Sequence, residues 1–328
     1  MRACWAFSGA MLLVAAGVGA QTVPQPAAAP QPFAAGAPLG IMVDGRHTPP
    51  SANVRVIGSI VNAESCSYDA SRDLIAVINR GANQNEVPND GFVSLLRHDG
   101  SIHTPRWIGG DRNGLTLNHP FGSEVHGGKL YLSDSDGGTA DGAPRTAVIR
   151  VFDLASGRPE RNLPVAGSPW LNDIAVAADG TVYGTQTGAV DGSVAMRLYR
   201  IAPDGTTTML IEGEPLARPN GVAMDRDGNV VVVNMNDARV MTLSPTGKLL
   251  KTEQSAQPGS DGIVIMPDGT KFVSSVLQGG VSRIRPGRAA ELIATGIPTA
   301  ASMCLDPKRG QLVIPMNANN ALAFVKLP

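Results

Sequence analysis

With 328 residues, a formal net charge of −1 and 17% charged residues, the chain has no basic stripe to meet phosphates, which excludes nucleic acid as a partner. Apolar residues make up 43%, enough for a packed core, so disorder is excluded as well. The 38 glycines and 25 prolines suit many short elements joined by tight turns and argue against a helical bundle.

Arg2, the apolar stretch from Ala10 to Val18 and the small residues Val18-Gly19-Ala20 have the order of a signal peptide cleaved after Ala20. Residues 1–20 are therefore expected to direct export to the periplasm or the cell exterior. The apolar run is shorter than the roughly 20 residues that cross a bilayer. No transmembrane segment is expected after signal cleavage. Residues 21–52 are expected to be an Ala/Pro-rich tether, because 21–40 (QTVPQPAAAPQPFAAGAPLG) offer few large side chains to pack.

From residue 53 onward the chain repeats itself. Asn220 opens NGVAMDRDGNVVVVN, an alternating strand, an Asp227-Gly228 turn signal and a β-branched run, which is the pattern of a β-hairpin. Asp261 opens DGIVIMPDGTKFVSS and Asn172 opens NDIAVAADGTVYGTQ, with Asp and Gly at the same offsets. Weaker copies open at Glu64, Phe121 and Ala301, giving a mean step of about 47 residues. Second hairpins turn at Ser156-Gly157, Asp204-Gly205 and Thr246-Gly247. Four short strands with their loops fill such a step. Residues 53–328 are thus expected to be an all-β, six-bladed β-propeller of four-stranded antiparallel blades, closed by pairing of Asn53-Val-Arg-Val-Ile57 with Ala321–Lys326.

The first strand of each blade lines the central channel, so Glu64, Phe121, Asn172, Asn220, Asp261 and Ala301 converge at one mouth. Two carboxylates and two carboxamides are hard oxygen donors, the kind that calcium or magnesium prefers, and a divalent cation is expected there. Gln186, Asn234 and Asn236 are candidate pocket-lining groups, and His119 is the histidine nearest the mouth. Asp134-Ser135-Asp136-Gly137-Gly138 lacks the terminal acid of a calcium loop and reads as turn chemistry. Cys66 and Cys304, the cysteines left after cleavage, read as two buried free thiols, with a bridge between neighbouring blades one and six as the alternative. A nucleophile elbow, a P-loop and a GxGxxG motif are all absent from the sequence.

In order along the chain, Glu64 in ESCSYD, Asn172-Asp173 in LNDIAV, Pro219-Asn220-Gly221 in RPNGVAMDRDG and Asp261-Gly262 in SDGIVIMPDG resemble the signatures of the gluconolactonase and regucalcin (senescence marker protein) family. The resemblance covers residues 55–328. It implies a divalent metal, calcium first and magnesium, manganese or zinc as alternatives, held by Glu64, Asn220 and Asp261. It further implies hydrolysis of a lactone or similar ester, with Asn172 binding the substrate and Asp261 also accepting a proton from water. Trp170 stands where the sugar-lactone enzymes carry an arginine, and Phe121 makes the mouth partly apolar, so both join Asn236 as substrate-binding candidates for a less polar ring. The partner is expected to be a small lactone or ester, and the chain a monomer. The competing reading is a non-catalytic NHL-like propeller that presents loops to a protein or glycan.

Overall fold

The computed structural model describes residues 39–328 except 44, 59, 82–88, 113–114 and 138–143. The expected signal peptide, its cleavage site and the tether up to residue 38 lie outside the described residues. Among the described residues, six four-stranded antiparallel sheets form the six blades of a β-propeller. The first blade runs Ala63–Asp69, Leu74–Asn79, Phe92–Leu96 and Ile102–Gly109 from the axis outward. Blades two to five open with Ser123–His126, Ile174–Val176, Pro219–Met224 and Ser260–Ile265. No helix among the described residues is long and apolar enough to cross a membrane.

The core is distributed as six apolar clusters, one in each seam between neighbouring blades. Strand periodicity makes this possible, because successive side chains leave a strand on opposite faces. Within Leu74–Asn79, Ile75 and Val77 enter the seam with the sixth blade, whereas Ala76 and Ile78 enter the seam with the second. Val230 and Val232 likewise face the third blade, and Val231 and Val233 the fifth. The second strands Leu74–Asn79 and Val230–Asn234 are therefore apolar at every position but the last, because they have two dry faces and no solvent face.

The turn signals hold. Gly180, Gly228 and Gly269, with φ of 84°, 80° and 86°, donate to the carbonyls of Ala177, Asp225 and Met266 at 2.8, 3.1 and 2.9 Å. Such positive φ values are open to glycine without penalty. Closure follows the expected pairing: Val54–Gly58 is the outer strand of the sixth blade, antiparallel to Ala321–Lys326, with Val54 opposite Val325 and Gly58 opposite Ala321.

Two expectations are corrected. The end of the expected tether is folded: Ile41–Val43 and Arg46–Thr48 form a hairpin, Ile41 is buried, and Ser51 bonds Thr295 through both backbone and side chain. Ile41 supplies a buried large apolar side chain, of which 21–40 offer few. Cys66 and Cys304 are not free thiols but a disulfide, with Cα atoms 5.5 Å apart. The ring places both on the inner strands of adjoining blades, a proximity that a separation of 238 residues conceals.

Candidate active site

The inner strands of the first, fourth and fifth blades enter the channel through a break in their ladders. Ala63 pairs with Asn79 and Ser65 with Ile78, which leaves Glu64 as an extra residue. Pro219 pairs with Asn234 and Val222 with Val232, so Asn220 and Gly221 oppose one residue; Asp261 and Gly262 do the same in the fifth blade. A bulge re-aims a side chain out of the regular pleat, and here it does so at Glu64, Asn220 and Asp261 together.

Crowding at the axis explains the glycines that follow. A Cβ on Gly221 would stand 2.3 Å from the carbonyl oxygen of Asp261, and one on Gly262 would stand 2.7 Å from the Met303 nitrogen. The N-G and D-G signatures thus record inner strands too close for any side chain. The third blade differs, with Asp173 after Asn172, and its Oδ2 accepts from Val222 N on the next inner strand at 3.1 Å.

The bulged residues form one network. Asn220 Nδ2 donates to Asp261 Oδ2 at 3.0 Å. Glu64 Oε2 accepts from Arg80 Nη1 at 2.9 Å and from Asn317 Nδ2. Arg80 sits over Phe121, with its Cζ 4.0 Å from the ring centroid. Phe121 therefore gives one face to a guanidinium. Burial pulls Arg80 below the usual arginine range, and the Glu64 carboxylate opposes the shift. Asp261 is pushed well above the usual carboxylate range by burial first, then by the negative charges of Glu64 and Asp173.

Other candidates sit elsewhere or do other work. Asn172 is half-buried, and its backbone is fixed on both sides, to Thr185 O at 2.7 Å and from Gly122 N at 2.9 Å. Trp170 is half-buried in the link before that strand, and its carbonyl accepts from Ser168 Oγ. Asn236 is exposed, held by its backbone to Ala217 O. Asn234 is no pocket-lining group: its Oδ1 accepts from Ala217 N at 3.0 Å, just as Asn79 Oδ1 accepts from Val61 N at 2.9 Å. Asp134 holds the equivalent link in the second blade, accepting from His119 N at 2.6 Å. The polar residue ending a second strand is thus a staple for the link into its own blade. Gln186 also ties a loop, donating from Nε2 to Ala195 O at 2.6 Å.

Sequence reasoning passed over Arg80, Asn317 and Glu124, and named Asp173 within its motif without giving it a role. A charge directly after the apolar run Leu74–Asn79 was the available signal for Arg80; nothing marked Asn317, which reaches Glu64 from 253 residues away. Glu124 and Asp173 line a channel cavity of about 280 Å³ together with Ser67, Ser123 and the disulfide. Burial raises Glu124 to about 8 and Asp173 to about 7.

Asn220 Oδ1 and Asp261 Oδ1 are buried with no hydrogen-bond partner among the described residues. Orphaned buried acceptors are costly, and two beside the Glu64 carboxylate fit a hard divalent cation. Among the described residues no three His, Cys, Asp or Glu side chains converge as a metal site, so such a cation needs the Asn220 amide oxygen as a ligand.

Comparison with known proteins places this geometry. A family model described as the SMP-30/Gluconolactonase/LRE-like region matches residues 145–316, over half of the chain. The chain belongs to the SMP-30/gluconolactonase/LRE-like family. Glu64 and Arg80 lie before the matched residues, and closure of the ring brings them to the mouth that Asp261 shares. Among solved structures, the chain is similar to a gluconolactonase of Xanthomonas campestris, at 18% identity and a TM-score of 0.60, covering 93% of this chain and 99% of that one. A Bacteroides thetaiotaomicron protein of unknown function matches at 13% identity and 0.58, covering 90% and 83%. Virginiamycin B lyase of Staphylococcus aureus matches at 11% and 0.56, covering 84% and 100%. At such identities the likeness is one of fold. No curated protein matches the chain.

Proposed function

We propose that this family member is an exported, metal-dependent lactonase that adds water across the ester bond of a lactone. The observation that carries the reading is the set of bulged residues Glu64, Asn220 and Asp261 at one mouth, with two buried oxygens unpartnered. These three residues would hold the cation, calcium being the first choice for an all-oxygen set. When bound, a divalent cation polarises an ester carbonyl and offsets negative charge on its oxygen.

The chain's own groups supply the rest. Asn220 fixes the Asp261 carboxyl through Oδ2, leaving Oδ1 without a protein donor. In the metal-free protein burial and the neighbouring carboxylates raise Asp261, and the charge of a bound cation would oppose that shift and keep the carboxylate ionised to accept a proton. Water bonds to the carbonyl carbon as its proton passes to Asp261 Oδ1; the ring C–O bond then breaks, and the proton goes to the departing ring oxygen. The product is one hydroxy acid. Arg80 and Asn317 hold Glu64 at Oε2 and so fix the opposite wall of the mouth.

Export to the periplasm or exterior is supported by the disulfide, since such bonds persist in oxidising compartments. A monomeric state is part of the proposal and is read by sedimentation. The decisive experiment assays purified protein on aldono- and aliphatic lactones with calcium, magnesium, manganese or zinc. Ring opening with one of these metals, abolished in Asp261→Asn, supports the proposal; no opening with any of them refutes it.

A further inference from the structure

Arg80 follows the last residue of Leu74–Asn79, where the second strand of the first blade reaches the mouth. Its side chain is only 10% exposed. Nη1 meets Glu64 Oε2 in a single contact, because that oxygen is shared with Asn317. Nε is buried and has no partner among the described residues. A guanidinium carries five N–H donors in a rigid planar fork, and burying them unanswered is costly. The contact with Phe121, whose ring centroid is 4.0 Å from Cζ, holds the guanidinium at the mouth. Arg145 adds a second positive charge close enough to be felt at Arg80.

Glu64 and Asp261 already act on the charge of Arg80, so what stands open is its remaining donors, of which a neutral ligand oxygen answers one. A carboxylate answers two donors in matching geometry and brings the opposite charge. We infer that Arg80 is a specificity-determining residue of the mouth and selects lactones that carry a free carboxylate on the ring. The inference rests on the lactonase reading and names its substrate class.

The test compares γ-butyrolactone with 5-oxotetrahydrofuran-2-carboxylate, the same ring bearing a carboxylate, in wild type, Arg80→Gln and Arg80→Lys. Damage to Glu64 lowers kcat/KM on both substrates alike, so the readout is their ratio. In Arg80→Gln the acid-to-neutral ratio is expected to fall at least about 10-fold, mainly through KM, with Arg80→Lys intermediate because it keeps the charge and loses the fork. An unchanged ratio overturns the inference. Calorimetry with the ring-opened acids 2-hydroxyglutarate and 4-hydroxybutyrate supplies a readout that needs no turnover. Tighter binding of 2-hydroxyglutarate in wild type, lost in Arg80→Gln, supports the inference even if neither lactone opens, an outcome that would sink only the lactonase reading. Equal binding of the two acids, or equal affinity in both proteins, overturns it.

Discussion

Cys66 and Cys304 are bonded across the seam where the first blade meets the sixth, 238 residues apart in sequence and 5.5 Å apart at Cα. The ring is also closed within the sixth blade, where Val54–Gly58 pairs with Ala321–Lys326. A propeller ring has one place where chain ends must be joined, and this protein joins them twice. In the loop-entropy model a cross-link over so long a loop is worth about 5 kcal/mol. Reduction, or Cys66→Ser with Cys304→Ser, is therefore expected to lower the melting temperature by several degrees in calorimetry, without change in far-UV circular dichroism at about 25 °C. An unaltered melt would show that strand pairing alone closes the ring.

Metal binding is expected to raise the melting temperature in proportion to affinity, by about 2.7 kcal/mol of stability at a hundredfold excess over Kd. Asn220→Ala removes one of the two unpartnered oxygens and the donor to Asp261 Oδ2. Fluorimetry with calcium is expected to show the shift in wild type and its loss in Asn220→Ala. The same variant is expected to open lactones about 100-fold more slowly or worse.

Asp173 and Glu124 make stability depend on pH in the direction opposite to that of an ordinary salt-bridged acid. Burial raises them to about 7 and about 8, so between the ordinary carboxyl values and these the folded state binds more protons than the unfolded. Stability is then fully present below about pH 4 for these groups and is lost as pH rises through 7 and 8. Metal-free wild type is expected to melt lower at about pH 8.5 than at about pH 5. Asp173→Asn with Glu124→Gln is expected to flatten that fall, because neither replacement ionises. A melting temperature that rises over this interval would contradict the assignment.

Gly221 faces the carbonyl oxygen of Asp261 at a distance that no Cβ can share. Gly221→Ala is expected to cost about 1–3 kcal/mol, as overpacking does in a close-packed interior, and to displace Asp261 along with its backbone. Urea unfolding and lactone kinetics should therefore fail together. Gly228→Ala meets open space, so its cost comes from the positive φ alone, and kinetics are expected to be unchanged.

The repeat, the hairpin turns and the residues that open each inner strand were legible in the sequence, because each is a local matter. Alternation, an Asp-Gly turn and a step of about 47 residues fall within short windows, and together they determined the blade, the number of blades and the mouth to which Glu64, Asn220 and Asp261 belong. The tertiary structure decided what depends on contacts between distant segments. Asn317 reaches Glu64 across 253 residues, and Cys66 finds Cys304 across 238. Asn234 works as a staple and not as a lining group because the link it holds lies beside it only when the blade is folded. Arg80 is the clearest case. In sequence it is one charge after an apolar strand; in the ring it is a buried guanidinium on Phe121 and Glu64. A linear pattern can say that a side chain reaches the axis, but which side chains meet there follows from the closure of the ring.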